Sequence, residues 1–259
     1  MSMQTKGDLK IFQEEYVSIV EINREPNNHF DYQLISDIAD VYEDLDKQKD
    51  CRVIVLCSVG KHFCAGADFG KDRDMHDKKD PYEELYKQAV RLFKTKKPVI
   101  AAVQGGAIGG GLGLALSADF RVGCEESRFS ANFAKLGFHQ GFGTSVTLPR
   151  VVGVQHSLDM LLTARRVKGI EALEMGLIDK LVNIDEVRTQ SISMAKEITS
   201  SAPLAVESIR ETLRHGLADQ VEKIVGHELE EQMRLQKTSD FKEGVKSTLE
   251  RREGNFKGE

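Results

Sequence analysis

Five glycines fall within seven residues, Gly105, Gly106, Gly109, Gly110 and Gly111. They lie between an apolar run, Val99-Ile100-Ala101-Ala102-Val103, and a small-residue segment in which Leu112, Ala115 and Leu116 keep helical spacing. A strand, a glycine turn and a helix in that order leave the N–H groups of the first helical turn unpaired and unshielded by side chains. The positive end of the helix dipole at the same place favours negative charge. The chemistry this permits is stabilisation of an oxyanion, with the turn supplying half of the donors. The same glycines also suit a tight turn packed closely on a sheet, and both readings stand at this point. Two nucleotide-binding motifs are excluded. No Gly-Lys-Ser/Thr closes the run, and Gly109, Gly111 and Leu114 do not fit the dinucleotide fingerprint.

A second loop, residues 60–69, is built from small residues and follows the continuous apolar strand predicted over 52–58. That is where α/β sheets place ligands, beyond the carboxyl end of a strand. Upstream, residues 16–22 alternate as a strand and 23–29 form a polar turn with a proline. Asp31 caps a predicted helix running to about Lys47, with Leu34, Ile38, Val41, Tyr42 and Leu45 on one face. Strand, helix and strand with short links predict right-handed β-α-β units. Residues 75–82 are rich in Lys and Asp and read as a mobile segment, either a solvated loop or a lid, with no role assigned. An amphipathic helix over 82–96 then leads into the glycine stretch.

Downstream, 145–150 and 154–163 read as helices, 165–168 as a basic strand-like turn, and 171–175 as a short helix ended by Gly176. Helical spacing covers 187–200, 204–215, 220–236 and 241–252, punctuated by Ala202-Pro203 and Gly216. These last helices are too charged to make a large core of their own. Their apolar positions, among them Leu229, Met233, Val245 and Leu249, are left to pack on the main body or on a partner.

The 259 residues are enough to bury a substantial core, and the net charge of −5 advertises no basic face for nucleic acid. Cys51, Cys57, Cys64 and Cys124 show no C-x-x-C pairing and read as reduced thiols of a cytoplasmic protein. No apolar run is long enough to span a bilayer, and residues 1–10 lack the apolar core of a secretory signal. A soluble protein without a membrane partner is expected.

Three segments in this order, Phe63-Cys64-Ala65-Gly66-Ala67-Asp68, residues 97–119, and Leu148-Pro149-Arg150-Val151-Val152-Gly153, resemble the crotonase superfamily of enoyl-CoA hydratases and isomerases. The similarity runs over nearly the whole chain. It implies an α/β (ClpP-like) fold of repeated β-β-α units in a spiral core over 1–183. A helical region over 184–259 would then serve trimer contacts and cover the site. It also implies an acyl-CoA substrate, no cofactor beyond the CoA moiety, no metal, and homotrimers or hexamers formed as dimers of trimers. The thioester carbonyl would lie between the N–H groups of Ala67 and Gly110, stabilising an enolate. Ala65, Asp68, Phe69, Phe133, Phe142 and Arg251 are expected at the CoA or acyl portion by the same analogy.

The departures from the family pattern bear on the reaction. Where the family's hydratases carry their two glutamates this chain has Gly113 and Phe133, and neither moves a proton. The isomerase acid position holds Gln140, and the dehalogenase nucleophile position holds Gly141. His139 has the side chain whose ordinary pKa lies nearest neutrality, so it is a candidate acid/base, the alternative being a solvated or packing histidine. Gln140 is a candidate orienting group, and Asp68 either braces the loop or takes part directly. The functions left open are hydration or isomerisation through a thioester enolate, decarboxylation or C–C hydrolysis of a CoA or carrier-bound thioester, and CoA binding without turnover.

Overall fold

The computed structural model describes residues 3–67 and 81–259. The strands are β1 (Met3–Lys6), β2 (Leu9–Glu14), β3 (Val17–Ile22), β4 (Val53–Ser58), β5 (Val99–Val103), β6 (Gly106–Ile108), β7 (Phe120–Gly123), β8 (Arg128–Ser130), β9 (Val167–Lys168) and β10 (Lys180–Leu181). The helices are α1 (Tyr32–Asp46), α2 (Pro81–Phe93), α3 (Gly110–Ser117), α4 (Thr144–Thr163), α5 (Gly169–Glu174), α6 (Val187–Thr199), α7 (Pro203–Leu213), α8 (Leu217–Leu235) and α9 (Ser239–Glu250). Asp68 and Phe69, and positions 75–80 of the solvated segment expected at 75–82, lie outside the described residues.

Seven strands form a mixed sheet in the order β1-β2-β3-β4-β5-β7-β10. From β3 to β10 every pairing is parallel, which matches the continuous apolar character of β4 and β5, buried on both faces. The β1-β2 hairpin is antiparallel and was not legible as strands, because β1 is largely exposed and polar on both faces. A second sheet, β6-β8-β9, stands beside the glycine turn. Crossovers with helices on the faces put the carboxyl ends of β4 and β5 at one edge of the molecule, where the two glycine-bearing loops meet.

Local signals account for the helix limits. Asp31 accepts a hydrogen bond from the Leu34 N–H at 2.9 Å and starts α1, as its position predicts. The two helices expected at 145–150 and 154–163 are one element, α4, kinked at Gly153, whose backbone is non-helical (φ 76°, ψ 166°). Of the charged C-terminal helices, α6 covers one face of the main sheet, with Val187 and Ala195 packed among Val17, Val55 and Ile100. Helix α8 packs against α2 and α4. By contrast, α7 leaves Leu204, Ile209 and Leu213 exposed.

All four cysteines are free and buried, and burial pushes the Cys57 and Cys64 thiols up to about 12, as packing groups would be. No helix among the described residues is long and apolar enough to cross a membrane.

Candidate active site

A buried side chain fastens the loop after β4 to its surroundings. Asn28, fully buried, donates from Nδ2 to the carbonyls of Val59 (2.8 Å) and His62 (2.7 Å), while its Oδ1 accepts the Arg24 N–H at 3.0 Å. Asn28 itself has φ 49°, a left-handed conformation that asparagine tolerates better than most residues. Further along, Cys64 N–H donates to Gly106 O at 3.0 Å and Ile108 N–H to Cys64 O at 3.1 Å, so the loop is zipped to β6. His62 Nδ1 accepts the Gly106 N–H at 3.0 Å, which leaves this ring neutral, and burial holds its pKa below the usual histidine value. The loop ends at Gly66 (φ 86°), whose carbonyl accepts the Phe30 N–H at 3.0 Å.

The glycine turn closes on the same spot. Gly109 N–H donates to Ser130 O at 2.8 Å, and the chain then enters α3 at Gly110. A Cβ on Gly111 would lie 2.1 Å from the Cys64 carbonyl oxygen, so that glycine exists to let the two loops touch. A Cβ on Gly66, the residue before Ala67, would lie 3.9 Å from the Gly110 nitrogen. Ala67 and Gly110 therefore line one cavity, of about 380 Å³, from opposite loops. Neither amide N–H has an acceptor among the described residues. Two free N–H donors on adjacent walls of one cavity are the arrangement an oxyanion requires.

The walls are mainly apolar, with Phe30, Leu85, Phe133, Leu136, Phe138 and Phe142 among them. Phe30 and Phe142 meet edge to face with ring centroids 5.6 Å apart. Phe142 is held at φ 63°, an uncommon conformation for an aromatic residue, and a Cβ on Gly113 would lie 2.7 to 2.9 Å from its Cβ and ring carbons. The space for a side chain at position 113 is filled by this ring. Ala65 also lines the cavity, as expected.

Other expected residues are not brought there. His139 and Gln140 do not line the cavity: the His139 ring meets His227 edge to face at 5.7 Å with Nδ1 at 2.9 Å from the Gln140 carbonyl, and Gln140 Nε2 donates to Ser145 Oγ at 3.1 Å. Gln232 Nε2, on α8, donates to the His139 carbonyl at 3.0 Å and holds the backbone there, while Phe138, Gly141 and Phe142 of the same segment line the cavity. Arg251 is exposed at the carboxyl end of α9, outside the cavity, whereas Val245, Thr248 and Leu249 of α9 line it. Asp68 and Phe69 lie outside the described residues.

Polar residues on the wall that escaped sequence reasoning include Tyr86, Gln232, His29 and Arg166. The Tyr86 hydroxyl, on α2, donates to Gln232 Oε1, on α8, at 2.8 Å, and a Cβ on Gly141 would lie 2.0 Å from that hydroxyl oxygen. The usable signal is a tyrosine on the apolar face of a predicted helix. A buried carboxylate supports the same loop from behind: Glu228, fully buried, accepts the N–H groups of Gly143 (2.8 Å) and Ser145 (3.0 Å) and the Ser145 hydroxyl (2.6 Å), capping α4.

Burial lifts the Glu228 pKa above the usual glutamate value, against the pull of those donors. Between an unfolded value of about 4.3 and the raised native value, the folded chain keeps a proton that the unfolded chain has released. Stability contributed by this group is therefore complete below that window and is lost as pH rises through the native pKa. Glu228→Gln is expected to flatten this fall in urea midpoint with pH; an unchanged slope in the variant would assign the pH dependence elsewhere.

A family model described as enoyl-CoA hydratase/isomerase matches residues 13–259. The chain is 30% identical over 240 residues to the short-chain-enoyl-CoA hydratase of Clostridium acetobutylicum, covering 91% of this chain and 92% of that protein. It is 31% identical over 254 residues to the (E)-benzylidenesuccinyl-CoA hydratase of Thauera aromatica, covering 94% and 96%. Among solved structures, the enoyl-CoA hydratase/isomerase of Pseudoalteromonas atlantica superposes with a TM-score of 0.87 at 26% identity, over 97% of this chain and all of that one.

Proposed function

Because the chain belongs to the enoyl-CoA hydratase/isomerase family, with its α/β crotonase fold and acyl-CoA-processing activity, we propose that it forms a thioester enolate without a carboxylate base, by losing CO2 from a 2-carboxyacyl-CoA. The observation that carries this reading is the ring of Phe142 over Gly113. By the resemblance, position 113 is one of the two at which the family's hydratases hold their water-activating acids. Phe133 takes the other, and no Asp or Glu side chain lines the cavity among the described residues.

Decarboxylation needs no protein base. As the bond from Cα to the carboxylate breaks, CO2 leaves and the electron pair moves onto the thioester oxygen, where the Ala67 and Gly110 N–H groups receive it. Cα then takes a proton from water, giving the unsubstituted acyl-CoA. Apolar walls favour the step, since a carboxylate loses hydration on entering them and its charge leaves that carbon in the transition state. The exposed Leu204, Ile209 and Leu213 of α7 support the trimer or hexamer as the working assembly.

The test is direct. With malonyl-CoA in D2O, the enzyme is expected to release CO2 and leave deuterium at Cα of the acetyl product, while crotonyl-CoA keeps its conjugated absorbance. Rapid hydration of crotonyl-CoA, or no CO2 from any 2-carboxyacyl-CoA, would overturn the assignment.

A further inference from the structure

The Gly66 carbonyl accepts two hydrogen bonds. One is from the Phe30 N–H; the other is from the His29 ring, with Nδ1 at 3.2 Å. A carbonyl only accepts, so Nδ1 carries the hydrogen in this contact. The carbonyl of Gly66 and the N–H of Ala67 belong to a single peptide group. Drawing electron density toward the oxygen of a peptide makes its N–H a stronger donor, the usual cooperativity along a chain of hydrogen bonds.

We propose that His29 is a positioning residue that acts through the Gly66–Ala67 peptide: its Nδ1–H holds the plane of that peptide and sharpens the Ala67 N–H toward the thioester oxygen. This rests on the enolate reading above. The Phe30 N–H already joins the two segments at the isolated bridge between Phe30 and Ala67. The histidine adds a second donor to an oxygen already satisfied once, and it does so on the cavity wall. The turn that carries it is itself anchored: Arg24 donates to the His29 carbonyl at 3.3 Å while paired with Asp31 at 2.8 Å, and the buried Asn28 precedes it. The ring is thus presented from a fixed backbone.

The experiment uses an arylacryloyl-CoA, whose absorption moves to longer wavelength when its carbonyl is polarised, together with steady-state kinetics. Wild type is expected to shift the bound chromophore to the red. His29→Leu is expected to bind the same probe with a similar Kd but a smaller shift, and to lose about fivefold in kcat with KM little changed, the worth of one neutral hydrogen bond. His29→Asn supplies an amide N–H that reaches the place of Nδ1, and this variant should restore both. A full red shift in a folded His29→Leu variant, or a loss confined to Kd or KM, would overturn the proposal. Failure of the parent reading looks different: wild type itself would then bind the probe without a red shift.

Discussion

Proline at Gly110 in a Phe30→Ala background is expected to turn over at about 10⁻² to 10⁻³ of the rate of alanine at Gly110 in the same background. The pairing of variants isolates one hydrogen atom. Gly110 is the first residue of α3, the helical position where proline's fixed φ and missing N–H are best tolerated, and the residue before it is a glycine, with no Cβ to meet the proline ring. The obstacle is steric: a Cβ at 110 would lie 2.4 Å from Phe30 Cζ. Truncating Phe30 removes that clash and keeps its N–H on the Gly66 carbonyl. Both double variants then carry similar bulk at 110, and they differ in whether an N–H faces the cavity. The measurement is deuterium exchange at Cα of a bound thioester in D2O, which reads enolate formation whatever step follows. Equal exchange in two variants with equal melting temperatures would remove Gly110 as an oxyanion donor.

Much of this site was legible because its donors are main-chain groups. A strand, a glycine turn and a helix specify where an N–H is left free, and residues 97–119 state all three in order. The capping role of Asp31 and the buried parallel strands were equally local. What was not legible depends on contacts between distant segments. Tyr86 and Gln232 meet across 146 positions, and nothing in the spacing of either announces the other. His139 has the side chain suited to proton transfer, but its direction follows from the carbonyl that Gln232 takes, a contact made 93 positions away. Gly113 read as a missing acid, and the structure adds the reason for its smallness: Phe142, carried by a different loop, adopts a left-handed backbone and occupies the space. Propensity gives no warning of that, since phenylalanine seldom has φ above zero.

Asp119 closes the glycine stretch, and its replacement by alanine is expected to be the most destabilising single change, by about 3–5 kcal/mol, because it strands two buried guanidinium groups. Its side chain is 14% exposed and those of Arg210 and Arg214 are 9% and 13%. Oδ2 accepts the Val99 N–H and Arg210 Nε, each at 2.8 Å, and Oδ1 accepts Arg214 Nη1 at 2.8 Å. The arginines also reach main-chain carbonyls, Arg210 that of Thr95 and Arg214 that of Ser117 at 3.1 Å. One carboxylate thus ties the start of β5, the end of α3 and helix α7 together. There is little slack in the cluster: Arg210 Nη2 and Arg214 Nε are buried with no partner among the described residues, and burial already lowers the Arg214 pKa. Without Asp119 the remaining acceptors carry no charge to offset the lost hydration. For a chain of this size the loss corresponds to about 10 °C in melting temperature. Asp119→Asn, which still offers an oxygen to Val99, should fall between alanine and wild type. Replacing all three residues by apolar ones of similar volume should recover most of the loss, because the buried charge is then gone along with its counterion. If Asp119→Ala melts within about 2 °C of wild type, these three side chains do not hold α7 to the sheet, and the exposed apolar face of that helix loses its fixed platform.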